Sequence, residues 1–176
     1  MTHFNENQVS LGLLILRVSV GATMIAHGYN HIYRGGKIKG TAGWFASLGM
    51  KPGILHAWLA SLTELAAGAG LVVGLLTPVA AGALIGTMLV AFITNHRTAG
   101  FFVFRRPTEG WEYLMNLVAA LLAIACLGPG KWSLDEKIGF YLHGWWGFLV
   151  ALVMGVGGGA GLLVTFWRPV KKEAAS

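Results

Sequence analysis

The stretch LRVSVGATMIAHGYNHI, residues 16–32, decides how the chain is to be read. Its apolar positions suit a helix surrounded by lipid or by other helices. Yet Arg17 lies inside it, and His27 and His31 crowd one end. A segment this oily holds such groups only where something meets them, so the question is what meets the arginine and the two histidines.

Working outward, the whole chain has the same character. Its 176 residues are 55% hydrophobic and only 11% charged, with mean hydropathy +0.64. A soluble domain carries about 25% charged residues, so the deficit places the chain in a bilayer. The length fits one domain, here a single membrane domain over residues 1–176. Apolar runs recur at about 9–32, 54–76, 78–95, 111–127 and 144–167. A bilayer core of ~30 Å takes about 20 mostly apolar residues as helix, and a helix satisfies its own backbone groups there. The last run, GWWGFLVALVMGVGGGAGLLVTFW, has no charged residue, whereas 111–127 is short and carries Glu112 near its start. The expectation is an all-α integral membrane protein with five transmembrane helices.

The cations predict its orientation. Arg34, Lys37, Lys39 and Lys51 lie between the first and second runs, and Arg97, Arg105 and Arg106 between the third and fourth. Arg168, Lys171 and Lys172 follow the fifth, while Lys131 and Lys137 alone fall on the opposite side. Short loops rich in Lys and Arg mark the cytoplasmic side. The N-terminus is therefore expected outside, and the basic tail 168–176 in the cytoplasm. The net charge of +6 is then a topology and lipid-surface signal rather than a nucleic-acid one. MTHFNENQVS, the first ten residues, lacks the basic start of a secretory signal peptide, so the first helix is expected to be retained. Cys126, the one cysteine, permits no intramolecular disulfide or CxxC dithiol and reads as a buried apolar thiol.

An ionisable side chain at mid-bilayer costs about 2.5–3.5 kcal/mol on insertion scales, so Arg17, His27 and Glu64 need partners. At ~1.5 Å per residue, Arg17 lies roughly 10 Å below the outer surface and Glu64 roughly 12 Å above the inner one. In a ~30 Å core that leaves about 8 Å between their Cα depths, a gap two long side chains can close. An Arg17–Glu64 ion pair is expected, since neither charge can be left alone. His27 and His31 are four residues apart and share a face. With Glu64 they fall in the half of the bundle that also receives Asn95, His96, Glu112 and Asn116, a polar chamber built from four helices. Each residue also has a plainer role. His31, His96 and Glu112 suit a solvated interface, His27 a core histidine bonded to a carbonyl, Asn116 an interhelical hydrogen bond, and Arg17–Glu64 a purely structural pair.

Glu-x-x-His pairs of the kind that hold two metals in a bundle are missing, because Glu64 is followed three residues on by Ala67 and Glu112 by Met115. No haem, flavin or metal motif is present. In GTAGWFASLGM, residues 40–50, Trp44, Phe45 and Leu48 can share a helical face, as a short helix in the membrane interface or as a re-entrant lid over a cavity. Thr77–Pro78 makes a minimal turn between the second and third runs. GVGGGAG, residues 155–161, spaces Gly155 with Gly159 and Gly157 with Gly161. That pattern suits close packing on the bundle or on a second copy, or else a local break in the helix.

At this point an ordered set of segments resembles the DoxX family of small bacterial membrane proteins. The set is LRVSVGATMIAHGYNHI, GTAGWFASLGM, LTELAAGAGLVVGLLTPVAAGAL, GWEYLMNLVAALLAI and GPGKWSLDEKI, covering about residues 11–140. The resemblance implies a four-helix bundle, a core over about 10–140, with 144–167 as one additional C-terminal transmembrane helix. It implies a bacterial plasma (inner) membrane location. Some relatives, such as the DoxD-type subunit of thiosulfate:quinone oxidoreductase, are linked to quinone-dependent oxidation of reduced sulfur compounds. By motif, the resemblance makes Arg17, His27, Glu64 and Glu112 the catalytic set, while His31 stands where many relatives have lysine.

Three functions follow as expectations. In the first, the chain is a quinone-dependent oxidoreductase or a subunit of one. His27 donates to a quinone carbonyl, Glu64 passes protons, and Trp44, Phe45 and Tyr29 line the ring. His31, Asn95, His96 and Asn116 complete the ligand contacts, and electrons come from a substrate or partner. In the second, it is a non-catalytic anchor or assembly subunit, with a protein partner or a second copy on the glycine-rich helix and HGWWGF, residues 143–148. The third is small-solute or proton-coupled transport.

Overall fold

The computed structural model describes residues 5–104 and 109–169. Asn5 starts the first helix, α1 (Glu6–Tyr33): its side chain accepts the Asn7 N–H at 3.0 Å, and the Gln8 side chain accepts the Asn5 N–H at 3.1 Å. This reciprocal cap satisfies donors that a helix start otherwise leaves open. Gly35 and Gly36, both at positive φ, break the chain before the short α2 (Lys37–Ser47). Next comes α3 (Gly53–Val73), ended by Gly74 in the left-handed conformation, φ 68°. After a tight turn α4 (Thr77–Ala91) begins with Pro78 in its first turn, where the missing N–H costs nothing. It runs on into a wide π turn, Phe92–His96. The remaining helices are α5 (Glu112–Leu127), the five-residue α6 (Leu134–Ile138) and α7 (Gly144–Phe166). Among the described residues there is no strand, only one bridge between Met50 and Trp167.

The five expected apolar runs are thus α1, α3, α4 with its π turn, α5 and α7. Four are long and apolar enough to cross a membrane, while α5, at 16 residues, is shorter, about 24 Å at 1.5 Å per residue. Large apolar side chains face outward along them: Ile15 is 58% exposed, Val153 66% and Val164 80%. Water would penalise so much apolar surface, and lipid does not. The protein is an all-α membrane protein.

α1, α3, α4 and α5 form a four-helix bundle, and α7 packs along α4 and α5. Met24, Leu71, Leu84, Leu121 and Ile124 meet at its centre. Close approach depends on small residues. Gly21 lies against Gly68, and Gly28 against Ser61, so a side chain at either position would strike the neighbouring backbone. These pairs set the antiparallel register of α1 on α3. α7 passes through GVGGG without a break and turns Gly155 and Gly159 onto Ile85, Gly86 and Leu89 of α4, whereas Gly157 and Gly161 touch nothing within 4 Å. α2 packs Thr41 and Phe45 inward against the bundle rather than lying free of it. Arg105 and Arg106, and the tail from residue 170 with Lys171 and Lys172, lie outside the described residues.

Candidate functional site

The register of α1 on α3 separates two residues that the sequence reading paired. With Gly21 at Gly68 and Gly28 at Ser61, Arg17 comes level with Val72 in the last turn of α3, and Glu64 comes level with Ile25, more than two turns away. Arg17 therefore does not meet Glu64, and the expected ion pair is absent. Arg17 is fully buried. Its Nη1 donates to the carbonyls of Leu71 at 2.8 Å and Val72 at 3.2 Å, and its Nη2 to that of Trp132 at 2.9 Å. The guanidinium thus caps the C-terminus of α3, where carbonyls lack helical partners and a cation is favoured. Opposite it, fully buried Asp135 performs the complementary task. Its carboxylate accepts the Leu76 N–H at 2.7 Å, the Thr77 N–H at 2.9 Å and the Thr77 hydroxyl at 2.7 Å, capping the N-terminus of α4. Both ends of one tight turn are held by opposite charges from distant parts of the chain. Gly74 lies between them with no room for a Cβ, which would fall 2.5 Å from Arg17 Nη1.

At the other end of the bundle, α1, α2, α3, α4, α5 and α7 enclose a cavity of about 450 Å³. Its walls are largely apolar, with Met24, Met50, Met88 and Met154 among them. Into it point His27, His31, His56, Glu64, His96 and Tyr113. Glu64 is 4% exposed and His56 3%. His31 Nδ1 stands 3.2 Å from Glu64 Oε2, close enough for charge attraction but out of line for a hydrogen bond. Among the described residues, His31 Nδ1, Glu64 Oε2 and His56 Nε2 have no hydrogen-bond partner. Buried polar groups are nearly always partnered, so three orphaned atoms around one cavity form an unfinished set of donors and acceptors. Aromatic rings hold the imidazoles in place: Phe45 meets His31 edge-on at 6.4 Å, and Phe166 meets His56 at 5.0 Å.

A second pair faces them. His96 Nδ1 is 2.8 Å from the Glu109 carbonyl, which only accepts, so Nδ1 carries the proton and Nε2 is the acceptor in the neutral ring. The Tyr113 hydroxyl, 3.0 Å from Nε2, donates to it, and the Asn95 amide also reaches Nε2 at 3.2 Å. The π turn explains why His96 rather than Asn95 faces inward. Thr87 and Ala91 line the cavity four residues apart, and an unbroken α-helix would bring Asn95 next. The Arg97 N–H instead bonds the Phe92 carbonyl five residues back, so the widened turn presents His96. Such turns often occur where helix geometry serves a site.

Of the residues singled out from the sequence, His27, His31, Trp44, Phe45, Glu64 and His96 line this cavity. The others lie elsewhere. Arg17 belongs to the opposite end of the bundle. Tyr29 is exposed and lies against Tyr33, the ring centres 4.7 Å apart and the planes tilted by 34°. Asn95 supports His96 from behind. Glu112 and Asn116 share a neighbouring face of α5, with the Asn116 amide bonded to the Glu112 carbonyl at 3.0 Å, while Tyr113 and Leu117 take the inward face. His56, Tyr113 and Asp135 escaped the sequence reading. The four-residue spacing of Tyr113 and Leu117 offered as good a signal as that of Glu112 and Asn116, and His56 stands eight residues, two turns, before Glu64 on the same helix. Among the described residues, no group of three or more His, Cys, Asp or Glu side chains is placed to hold a metal ion.

The comparisons with known proteins bear on the fold more than on the cavity. Neither the curated proteins nor the solved structures provide a match to this chain. The DoxX family model matches residues 12–97, from the first turns of α1 to the residue after the π turn. The matched part contains Arg17, His27, His31, His56, Glu64 and His96, and ends before α5 and α7. With residues 12–97 matching the DoxX family and its long helices clad in apolar side chains, the chain is a membrane protein with a DoxX-like segment.

Proposed function

We propose that the chain is the quinone-binding membrane subunit of a redox system that oxidises a small reduced substrate of the reduced-sulfur class. The observation that carries this reading is the set of orphaned buried atoms, His31 Nδ1, His56 Nε2 and Glu64 Oε2, facing a cavity walled by methionine and aromatic side chains. A flat ring with a hydrogen-bonding oxygen at each end fits that combination, because such pockets pair apolar walls with a few convergent polar groups. When bound, a quinone accepts the two electrons released by the sulfur compound together with two protons, and leaves as the quinol. The electrons arrive through a partner protein of the redox system.

The chain's own residues bind the ring and manage the protons. His56 Nε2 and His31 Nδ1 donate to the oxygen on their side. Glu64, with its Oε2 3.2 Å from His31 Nδ1, holds a proton next to the ring. On the far wall, Tyr113 passes a proton to or from His96 Nε2, while the Nδ1–H bond to the Glu109 carbonyl keeps the imidazole oriented. His27 stands at the cavity edge as a further donor, and Trp44 and Phe45 flank the ring from α2, which covers the cavity end. Arg17 and Asp135 hold the opposite end of the bundle and do not touch the ligand.

In this reading the whole chain is one membrane domain of a bacterial plasma membrane, with the N-terminus outside and the cavity's polar end toward the cytoplasm. The arginines and lysines beside that end support the orientation. The test is calorimetric titration of the detergent-solubilised protein with 2,3-dimethoxy-5-methylbenzoquinone, a ring without a long chain. The expected result is saturable binding that weakens at least tenfold in Glu64→Gln and in His56→Phe. Absence of binding to the wild type, alongside a stoichiometric protein partner that survives purification, would replace this reading with that of a membrane anchor.

A further inference from the structure

The cavity is not closed on all sides, and the shape of its opening says what kind of molecule it takes. α3 and α7 both border it, and they approach each other near its polar end, where Phe166 packs on His56. Farther along they stand apart over α4. Leu59 and Thr63 form the lip on α3, and Met154 and Gly158 the lip on α7. Leu59, Met154 and Gly158 are exposed although they line the cavity. Between the lips, Gly82, Ala83, Gly86 and Thr87 make the floor. Thr87 commits its hydroxyl proton to the Ala83 carbonyl at 3.2 Å, so the floor, otherwise glycine and alanine, offers no free side-chain donor to whatever lies on it.

The depth of this opening matters. Residues 82–87 lie about 8–15 Å along the ~30 Å span that begins at Thr77, and so within the hydrocarbon layer. The cavity is therefore polar from His56, near the membrane surface, as far as Glu64, which stands about level with Gly86, and it is apolar and open to the side over the rest of the floor toward Gly82. Buried His56 and Glu64, each with an unpartnered atom, mark the polar end as a place for a ligand head group. We infer that the ligand carries an apolar chain and enters sideways from the lipid between α3 and α7, its chain lying over the α4 floor. This rests on the quinone reading for the head group and adds the route and the chain. A water-soluble ligand would have no use for a mouth at this depth.

Two adjacent glycines give a matched test. A Cβ added at Gly158 or at Gly157 would meet nothing within 4 Å, so either accepts a larger side chain without disturbing the helix packing. Gly158 faces the groove and Gly157 faces away from it. Binding is measured for 2,3-dimethoxy-5-methylbenzoquinone and for the same ring bearing a decyl chain. In Gly158→Leu the decyl compound is expected to lose at least tenfold in affinity while the chain-free ring keeps its wild-type affinity, and Gly157→Leu leaves both unchanged. Retained binding of the chain-free ring also shows that Gly158→Leu is folded. Leu59→Trp repeats the test from the α3 lip. Equal binding of the decyl compound by wild type, Gly158→Leu and Leu59→Trp would overturn the lateral route and leave the head-group reading standing. Failure of the wild type to bind either compound would overturn both.

Discussion

At one end of the bundle, Arg17 and Asp135 are fully buried and make five hydrogen bonds to the junction of α3 and α4 and a sixth to the Trp132 carbonyl. At the other end, Glu64 and His56 are nearly as deeply placed and His31 is partly buried, yet each leaves an atom without a partner. The first group is bound to the backbone of the protein itself, with Arg17 Nε its single unpartnered atom. The second is turned toward open space. Two sets of costly polar groups in one membrane bundle thus have opposite logic: one completes the fold, and the other is completed by something from outside. Burial alone does not distinguish them, whereas the identity of their hydrogen-bond partners does.

The sharpest way to break this contrast is at Arg17. Arg17→Met strips the Leu71, Val72 and Trp132 carbonyls of their charged donor, and at about 1–3 kcal/mol for each buried acceptor left unsatisfied the expected cost is about 3–5 kcal/mol. Thermal unfolding in detergent should show that loss, while the fraction that remains folded binds the chain-free quinone as the wild type does. Asp135→Ala should cost somewhat less, about 2–3 kcal/mol, because three bonds to the start of α4 are lost. Combined with Arg17→Met it should cost less than the two single effects together. Arg17→Met with Glu64→Gln should instead add within about 0.5 kcal/mol, as independent sites do. Strong coupling in that second pair would restore the ion pair that the register forbids.

Smaller effects refine the same comparison. Gly74→Ala places a side chain on a residue at φ 68°, against Arg17 and Ser133; such left-handed strain costs about 1–3 kcal/mol, read as a lower unfolding temperature. His56→Phe should change stability by no more than about 1 kcal/mol. It removes an unsatisfied buried nitrogen, and replacing a buried polar group by an apolar one of similar shape is nearly neutral. Its effect belongs to ligand binding, and a large loss of stability would show that His56 completes the fold after all.

Much of the architecture was legible in the sequence. Length and hydropathy located five apolar helices, and the Thr77–Pro78 turn was plain. Helix depth was legible only coarsely, because upright helices with assumed entry points leave an error of several residues. Gly21 on Gly68 shows what was missing: small-residue contacts set the register, and that register carried Arg17 past Glu64 to the end of α3. Asp135 could not be found from periodicity, since it reaches α4 from the five-residue α6, 58 residues away. The cavity was half legible. Spacing gave His27 with His31, but the π turn that turns His96 inward has no clear mark in FITNH, residues 92–96. On α5 the neighbouring pairs Glu112–Asn116 and Tyr113–Leu117 have identical spacing, and the polar pair drew the reading to the wrong face.

The most direct test of the account is mass spectrometry of the small molecules that co-purify with the protein in mild detergent, with wild type, Glu64→Gln and Arg17→Met prepared side by side. A quinone retained by the wild type and by folded Arg17→Met, and lost from Glu64→Gln, is the expected result. Phospholipid alone in all three preparations, or a quinone retained equally by Glu64→Gln, would contradict the claim that this end of the bundle is completed by a ligand.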